Sequence, residues 1–523
     1  MWKRAFAIHP LLFAALPALF VYAYNIGEIS PEALLAPLSV CVGATSIAYI
    51  FLSIFIRDND RVALLLTLFL IFFFSYGSIY PLLKASPLGA AMTRFDPRPG
   101  IILLATWALI FIIDAFLIMK IRESLKKATA VLNAVSAVLV LAAALGIGFY
   151  DITRAVSQPK IASHDKMDER KGYTEFKPPD IYYIIVDAYA RGDILKKVYD
   201  YDNSAFLSSL EKKGFYVAGD SASNYARTSL SLSSSLNMDY LDKIITNLNA
   251  ESKDIGPLKN LIKHSRVFRF LRRQGYKIAA FSSGCFDTEI DNADIYMRPG
   301  WEPDEFQNTL ISLTPLPVIF DFIGIYDQFD AHRGRILFIL NNLAKVKDTT
   351  SPLFVFAHIY APHPPFVFDR NGKPIKLEPV FQVHDGDWLV RDGRLTRQEY
   401  IKHYVDQLVF ISKKLDKTLS VILSRPGTPP IIVVQSDHGP RSGLHWESPM
   451  ETDFAECMSI LNAYHLPDGG DALLYEDISP VNTFRTIFNY YFGTEYPILE
   501  DRSFLSTARY PYKFIEVTEM LRK

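Results

Sequence analysis

The chain has 523 residues, 50% of them hydrophobic, a formal net charge of −1 and three cysteines. That length is too great for one ordinary domain. The near-zero balance and the lack of a polybasic run remove any general attraction to nucleic acid, which is not an expected partner. Cys41, Cys285 and Cys457, without CxxC spacing, exclude a disulfide-rich scaffold and a zinc knuckle. Cys285 and Cys457 leave two readings open, a pair or two buried thiols.

Almost all the long apolar runs precede residue 150. Segments near 8–26, 33–56, 62–83, 100–119 and 129–149 each have the length a helix needs to cross hydrocarbon, which predicts five spans. The first reads as an uncleaved span rather than a signal peptide, because no small-residue cleavage site is clear after it and further spans follow. Lys3 and Arg4, Arg57 and Arg61, and Lys120, Arg122, Lys126 and Lys127 fall on one side, against Lys84, Arg94 and Arg98 on the other. The richer side is expected to be cytoplasmic, and an odd number of spans then puts everything after Tyr150 outside. The expected organisation is a transmembrane domain over 1–150, a polar linker over 151–179 and an extracytoplasmic domain over 180–523.

The second half reads as α/β. Ile181-Tyr-Tyr-Ile-Ile-Val186 is a β-branched and aromatic run that suits a strand buried on both faces, and Asp187 ends it. Runs at 277–281, 353–357 and 431–435 repeat the pattern, separated by segments such as 258–274 and 398–422 with helical periodicity. The alternation predicts an α/β sandwich with a largely parallel central sheet. Ligand sites in such sheets form at the carboxyl ends of the strands. Asp187, His358-Ile-Tyr-Ala-Pro-His363 and Ser436-Asp437-His438-Gly439 all stand at such ends. Taken singly, each has a plainer reading: Thr228 as a helix N-cap, Asp187 as a cap on the next helix, Asp437-His438 and His384-Asp-Gly-Asp387 as turns, and His358 as a buried strand histidine satisfied by backbone.

Taken in order, Asp187, the pair Thr228-Ser229, Ser436-Asp437-His438-Gly439 and the segment Ile478-Ser-Pro-Val-Asn-Thr-Phe-Arg-Thr-Ile487 resemble the alkaline phosphatase/sulfatase superfamily. Within it they are similar to the membrane-anchored branch of lipid A phosphoethanolamine transferases and lipoteichoic acid synthases, over about residues 180–495. The resemblance implies one divalent metal ion, zinc or manganese, held by Asp187, Thr228, Asp437 and His438. It implies Thr228 as nucleophile with Ser229 as the backup candidate and a substrate contact, His363 as the group that contacts the phosphate or protonates the leaving oxygen, and His445 as a further substrate contact. The chemistry requires such company, since a threonine hydroxyl is nearly inert at neutral pH until a base or a metal activates it.

The chain departs from true sulfatases in lacking a Cys/Ser-x-Pro-x-Arg signature around Thr228, which disfavours sulfate ester hydrolysis. The function implied is transfer of a phospholipid-derived head group to an envelope glycan or lipid, by a multi-pass protein of the bacterial inner membrane whose catalytic domain faces the periplasm or the outside. The alternatives are a membrane-tethered phosphodiesterase, phosphatase or sulfatase-like hydrolase, and a non-catalytic sulfatase-like scaffold in envelope assembly.

Overall fold

The computed structural model describes residues 7–26, 29, 31–84, 86, 99–156, 160–161, 178–246, 249–300, 303–325, 327–348, 350–377, 381, 383, 385–446, 448–507 and 509–521. The chain divides into two compact units, Met1–Gln158 with Pro303–Asp327, and Pro159–Glu302 with Gln328–Lys523.

The first unit is helical: α1 (His9–Tyr24), α2 (Pro31–Phe55), α3 (Asn59–Lys84), α4 (Pro99–Lys120) and α5 (Lys126–Val156). Of these, α2 to α5 are long and apolar enough to cross a membrane. Their outward residues are large and apolar, among them Ile47, Ile54, Ile112, Phe116 and Leu145, as expected where the solvent is hydrocarbon. With 16 residues α1 is shorter, about 24 Å at 1.5 Å per residue. It packs on α2, α3 and α5, and Asn133 of α5 accepts from the backbone N–H groups of Ile8 and His9, satisfying donors that a helix start leaves open. Two short helices, Glu305–Ser312 and Leu316–Ile323, also group with this unit although they lie within 180–523. At 8 residues each they are too short to read as spans. Of the expected linker, α5 occupies the first part and residues 162–177 lie outside the described residues.

The second unit is built on a seven-stranded sheet of β1 (Ile181–Val186), β2 (Tyr216–Val217), β3 (Lys277–Phe281), β4 (Ile295–Met297), β5 (Leu353–Ile359), β6 (Ile431–Gln435) and β7 (Asn462–His465), in the order β2-β7-β6-β1-β5-β3-β4. The five strands from β6 to β4 are parallel, and β7 and β2 add an antiparallel edge. Every residue of β1 is buried. Tyr182, Ile184 and Val186 point into one apolar layer and Ile181, Tyr183 and Ile185 into the other, the period-two division of a sheet covered on both faces. Helices α7 (Gln328–Asn342) and α8 (Arg397–Leu423) fill the first layer, and α6 (Thr228–Ser235) and α9 (Pro480–Phe492) contribute to the second.

The register positions the site. Ile185 pairs with His358 on one side and Gln435 on the other. Asp187 and Ser436-Asp437-His438 therefore emerge side by side at the same edge of the sheet. Cys285 and Cys457 are not joined in a disulfide.

Candidate active site

Asp187 and Asp437 leave adjacent strand ends and are completely buried. Ala188 N–H faces Asp437 Oδ1 at 3.4 Å, and Tyr189 N–H donates to Ser436 Oγ at 2.8 Å, so the two turns are tied to each other. Neither Asp187 Oδ1 nor Asp437 Oδ2 has a hydrogen-bond partner, and a buried charged oxygen without one is costly unless a cation faces it. His438 completes the group. Its Nδ1 lies 2.8 Å from the Gly439 carbonyl oxygen, the geometry of an Nδ1–H donor. The Nε2 lone pair is thereby directed at Asp187 Oδ1 (3.5 Å) and Asp437 Oδ2 (3.3 Å). Burial and the nearby Arg441 charge hold this imidazole below its ordinary pKa, which favours the neutral form that a metal needs.

Thr228 opens α6, and its Oγ1 lies 3.2 Å from His438 Nε2. The N-cap position belongs to Arg227, with no side-chain cap bond. The Thr228 hydroxyl thus points to the acid–imidazole cluster. Ser229, one residue further, is buried. Asp187 Oδ1, Asp437 Oδ2 and the Thr228 hydroxyl thus each lie within 3.5 Å of His438 Nε2, and two carboxylate oxygens, an imidazole nitrogen and a hydroxyl are donors whose chemistry suits a divalent cation.

On the other side of Asp187 lies a second cluster. His358 is buried as a strand residue should be, but its partners are side chains: Nε2 lies 3.0 Å from Asp187 Oδ2 and Nδ1 2.7 Å from Thr288 Oγ1. Asp187, His358 and Asp437 each offer one ligand atom within 4.8 Å of the others. His363 is buried too, with Nδ1 2.5 Å from the Pro364 carbonyl and Nε2 3.3 Å from Asp385 Oδ1. Burial works against its protonation, but the Asp187 and Asp385 carboxylates outweigh that and raise its pKa. Asp187 shows the converse. Burial pushes its carboxyl up, yet His363, His358 and His438 hold it far below the usual carboxylate range.

Arg441 has no place in the sequence reading, and Asp385 enters it only within the turn at 384–387. The Arg441 guanidinium donates to Asp385 Oδ1 at 2.5 Å and to the Ala226 carbonyl at 2.8 Å, and lies 3.2 Å from His363 Nε2. Arg441 stands five residues after Ser436, on a backbone with φ 61°. The turn expected at 384–387 is not a surface turn. Asp385 reaches the site, and the Asp387 side chain is only 3% exposed, with the Arg391 guanidinium 3.5 Å away. His384 lies outside the described residues. His445 is not brought to the cluster. Its side chain is 41% exposed and its ring faces Glu451 at 3.6 Å.

No protein-family model and no curated protein matches the chain. Among solved structures it is similar to the zinc complex of the C-terminal periplasmic domain of EptC from Escherichia coli, at 12% identity and a TM-score of 0.42 over 68% of this chain and 96% of that one. It is similar also to the integral membrane lipooligosaccharide phosphoethanolamine transferase A of Neisseria meningitidis, at 12% identity and 0.42 over 93% and 95%, and to a 2-O GAG sulfatase, at 14% identity and 0.39 over 64% and 74%.

Proposed function

We propose that the chain is a membrane-tethered, metal-dependent phosphotransferase of the alkaline phosphatase/sulfatase type. It moves a phosphoethanolamine- or phosphoglycerol-type head group from a phospholipid to an envelope glycan or lipid, with Thr228 as nucleophile, on the outer face of a bacterial cytoplasmic membrane. The observation that carries this reading is the Thr228 hydroxyl 3.2 Å from an imidazole nitrogen that also faces two orphaned carboxylate oxygens. Zinc or manganese bound by Asp187, Asp437, His438 and Thr228 would lower the hydroxyl pKa and screen the phosphate charge.

The residues divide the work between two bond exchanges. Thr228 Oγ1 forms a bond to phosphorus, its proton passing to solvent, while the bond from phosphorus to the diacylglycerol oxygen breaks. That oxygen takes its proton from His363, the group whose protonated form its neighbours favour. An acceptor hydroxyl then attacks the phosphothreonine and gives its proton to His363, while the bond from phosphorus to Thr228 Oγ1 breaks and that oxygen takes back a proton from solvent. Arg441 supplies fixed positive charge beside the phosphoryl oxygens, held in place by Asp385 and the Ala226 carbonyl. The backbone N–H groups that a helix start leaves open would serve the same oxygens at the start of α6. Tethering to the bilayer keeps the site beside a lipid that hardly leaves it.

The test uses the full chain in nanodiscs with head-group-labelled phosphatidylethanolamine or phosphatidylglycerol and an envelope glycan or lipid. Thr228→Ala is expected to lower transfer on the order of a thousandfold or more. Unaltered turnover overturns the assignment, and label released to water with none on the acceptor assigns a hydrolase instead.

A further inference from the structure

Residues Pro303–Asp327 leave the catalytic unit after Glu302 and return to it at Gln328, yet they pack with the membrane helices. Within the segment, Phe306–Ser312 and Leu316–Ile323 meet at 89°. Helices of 7 and 8 residues reach only about 10 to 12 Å, against about 30 Å of hydrocarbon. Both ends of the segment rejoin one extramembrane unit. It therefore enters and leaves by one face.

Its partners inside the helical unit set its depth. The turn between the two helices rests on α3, where Gly77 N–H donates to the Leu313 carbonyl at 2.9 Å. A Cβ on Gly77 would meet the Ser312 carbonyl oxygen at 1.9 Å, so only glycine admits this approach. Val318 lies against Gly100, the first residue of the span that α4 makes. Gly77 is three residues from Tyr80, where the α3 span ends. The contacts thus lie at the end where α3 hands over to α4. Counting on from there, α4 and α5 cross once each, which returns the chain to that same face before the catalytic unit begins.

Its surface matches that position. Phe322, Ile323 and Ile325 are 63%, 52% and 71% exposed, and in the helix Leu316–Ile323 no residue is buried. An apolar patch of this kind is a liability in water and an anchor in lipid. The backbone at the bend is satisfied locally, as a segment leaving water requires. Leu313 and Thr314 N–H donate to Leu310 and Ile311 carbonyls, Leu316 N–H donates to Thr314 Oγ1, and Ile325 N–H donates to the Phe320 carbonyl. Pro315 and Pro317 have no N–H to satisfy. Asp321, exposed within the apolar helix, keeps the element shallow, since a carboxylate is costly at the bilayer centre and tolerated near its interface.

We propose that residues 310–325 form a re-entrant hairpin that lies in the bilayer interface with Phe322, Ile323 and Ile325 among the lipid chains. The hairpin is a membrane seat carried by the catalytic unit's own chain, inserted between β4 and α7, and α7 leads into the strand that bears His358 and the turn that bears His363.

Nitroxide labels at Phe322→Cys and Ile325→Cys, in a full chain otherwise free of cysteine and reconstituted in phosphatidylethanolamine/phosphatidylglycerol nanodiscs, test this directly. Ile112→Cys on a span and Glu251→Cys on the catalytic unit are the references. The expected result is a ratio of oxygen to nickel-chelate accessibility several-fold above that at 251 and below that at 112. A ratio equal to that at 251, or shielding from both reagents, overturns the proposal. Should the cysteine-free chain fail to fold, a photoreactive benzophenone amino acid at 322 in the native-cysteine chain asks the same question. A phospholipid adduct at 322 supports the hairpin, and protein crosslinks alone or no adduct overturn it.

Discussion

Arg441 is the fixed charge of the site. A guanidinium keeps its proton at any working pH, and burial, which alone would lower its pKa, is outweighed by Asp385, Asp187 and Asp437. Its two anchors, Asp385 Oδ1 and the Ala226 carbonyl, accept from Nη2 and Nη1 respectively. Replacing Arg441 by Gln keeps polarity and removes charge. We expect kcat/KM to fall by about 10²–10³, with metal content unchanged because Arg441 contributes no ligand atom. Measuring both on one preparation separates a phosphate-binding role from a collapse of the site, and loss of metal together with activity contradicts the assignment. Asp187 and Asp437-His438 were legible at one end of the sheet because each follows a strongly patterned strand, whereas Thr228 beside them was implied only by the family resemblance. Arg441 and Asp385 were not legible. Arg441 depends on one left-handed backbone position beyond Gly439, and Asp385 on a turn whose composition is that of any polar loop. His358 was visible as a buried histidine, but its partner Thr288 is 70 residues away in the chain, a pairing that no local pattern encodes.

Gly439 shows how an element edge aims a site. The segment after β6 runs against the one before β7, where Gly439 N–H donates to the Cys457 carbonyl at 2.8 Å. A Cβ on Gly439 would lie 1.9 Å from the Glu456 carbonyl oxygen. Backbone on both sides leaves no flexible side chain to give way, so Gly439→Ala must push the turn of Asp437 and His438 off its course. The expected cost is about 1 to 3 kcal/mol, read as a lower denaturation midpoint of the catalytic unit, together with weakened metal binding. Unchanged stability and affinity would mean that the turn has slack the packing does not suggest. The strands themselves were legible, since β1, β3, β5 and β6 each carry a continuous apolar run of four to six residues, and the long α8 is announced by its helical periodicity. The strands β2, with two residues, and β4, with three, are half-buried and carry too little pattern to find. The bent pair after residue 303 was missed for a related reason: neither arm alone has the length of a span, and its packing against Gly77 is a tertiary fact.

The four proposed metal-holding residues all belong to one of the two units, and the helical bundle supplies none of them. Metal binding should therefore stabilise the molecule unevenly. Asp187 Oδ1 and Asp437 Oδ2 are buried without a hydrogen-bond donor, and the charge around them is offset by the neighbouring histidines and Arg441. An ion bound only by the folded unit adds stability by mass action, roughly 2.7 kcal/mol at a free concentration about 100 times Kd. Chelation removes that increment from the catalytic unit and leaves the bundle as it was. Hydrogen exchange on the full chain in nanodiscs resolves the two. On chelation, peptides covering 181–190 and 431–440 should lose protection, while peptides within 62–80 should not change. In Asp187→Asn, which removes one orphaned charge and one ligand together, the same peptides should exchange alike with and without chelator. Equal loss of protection in both units would point to general destabilisation by the chelator. No change in either would show that the buried oxygens are satisfied without an ion, and the metal-dependent reading of Thr228 would fall with it.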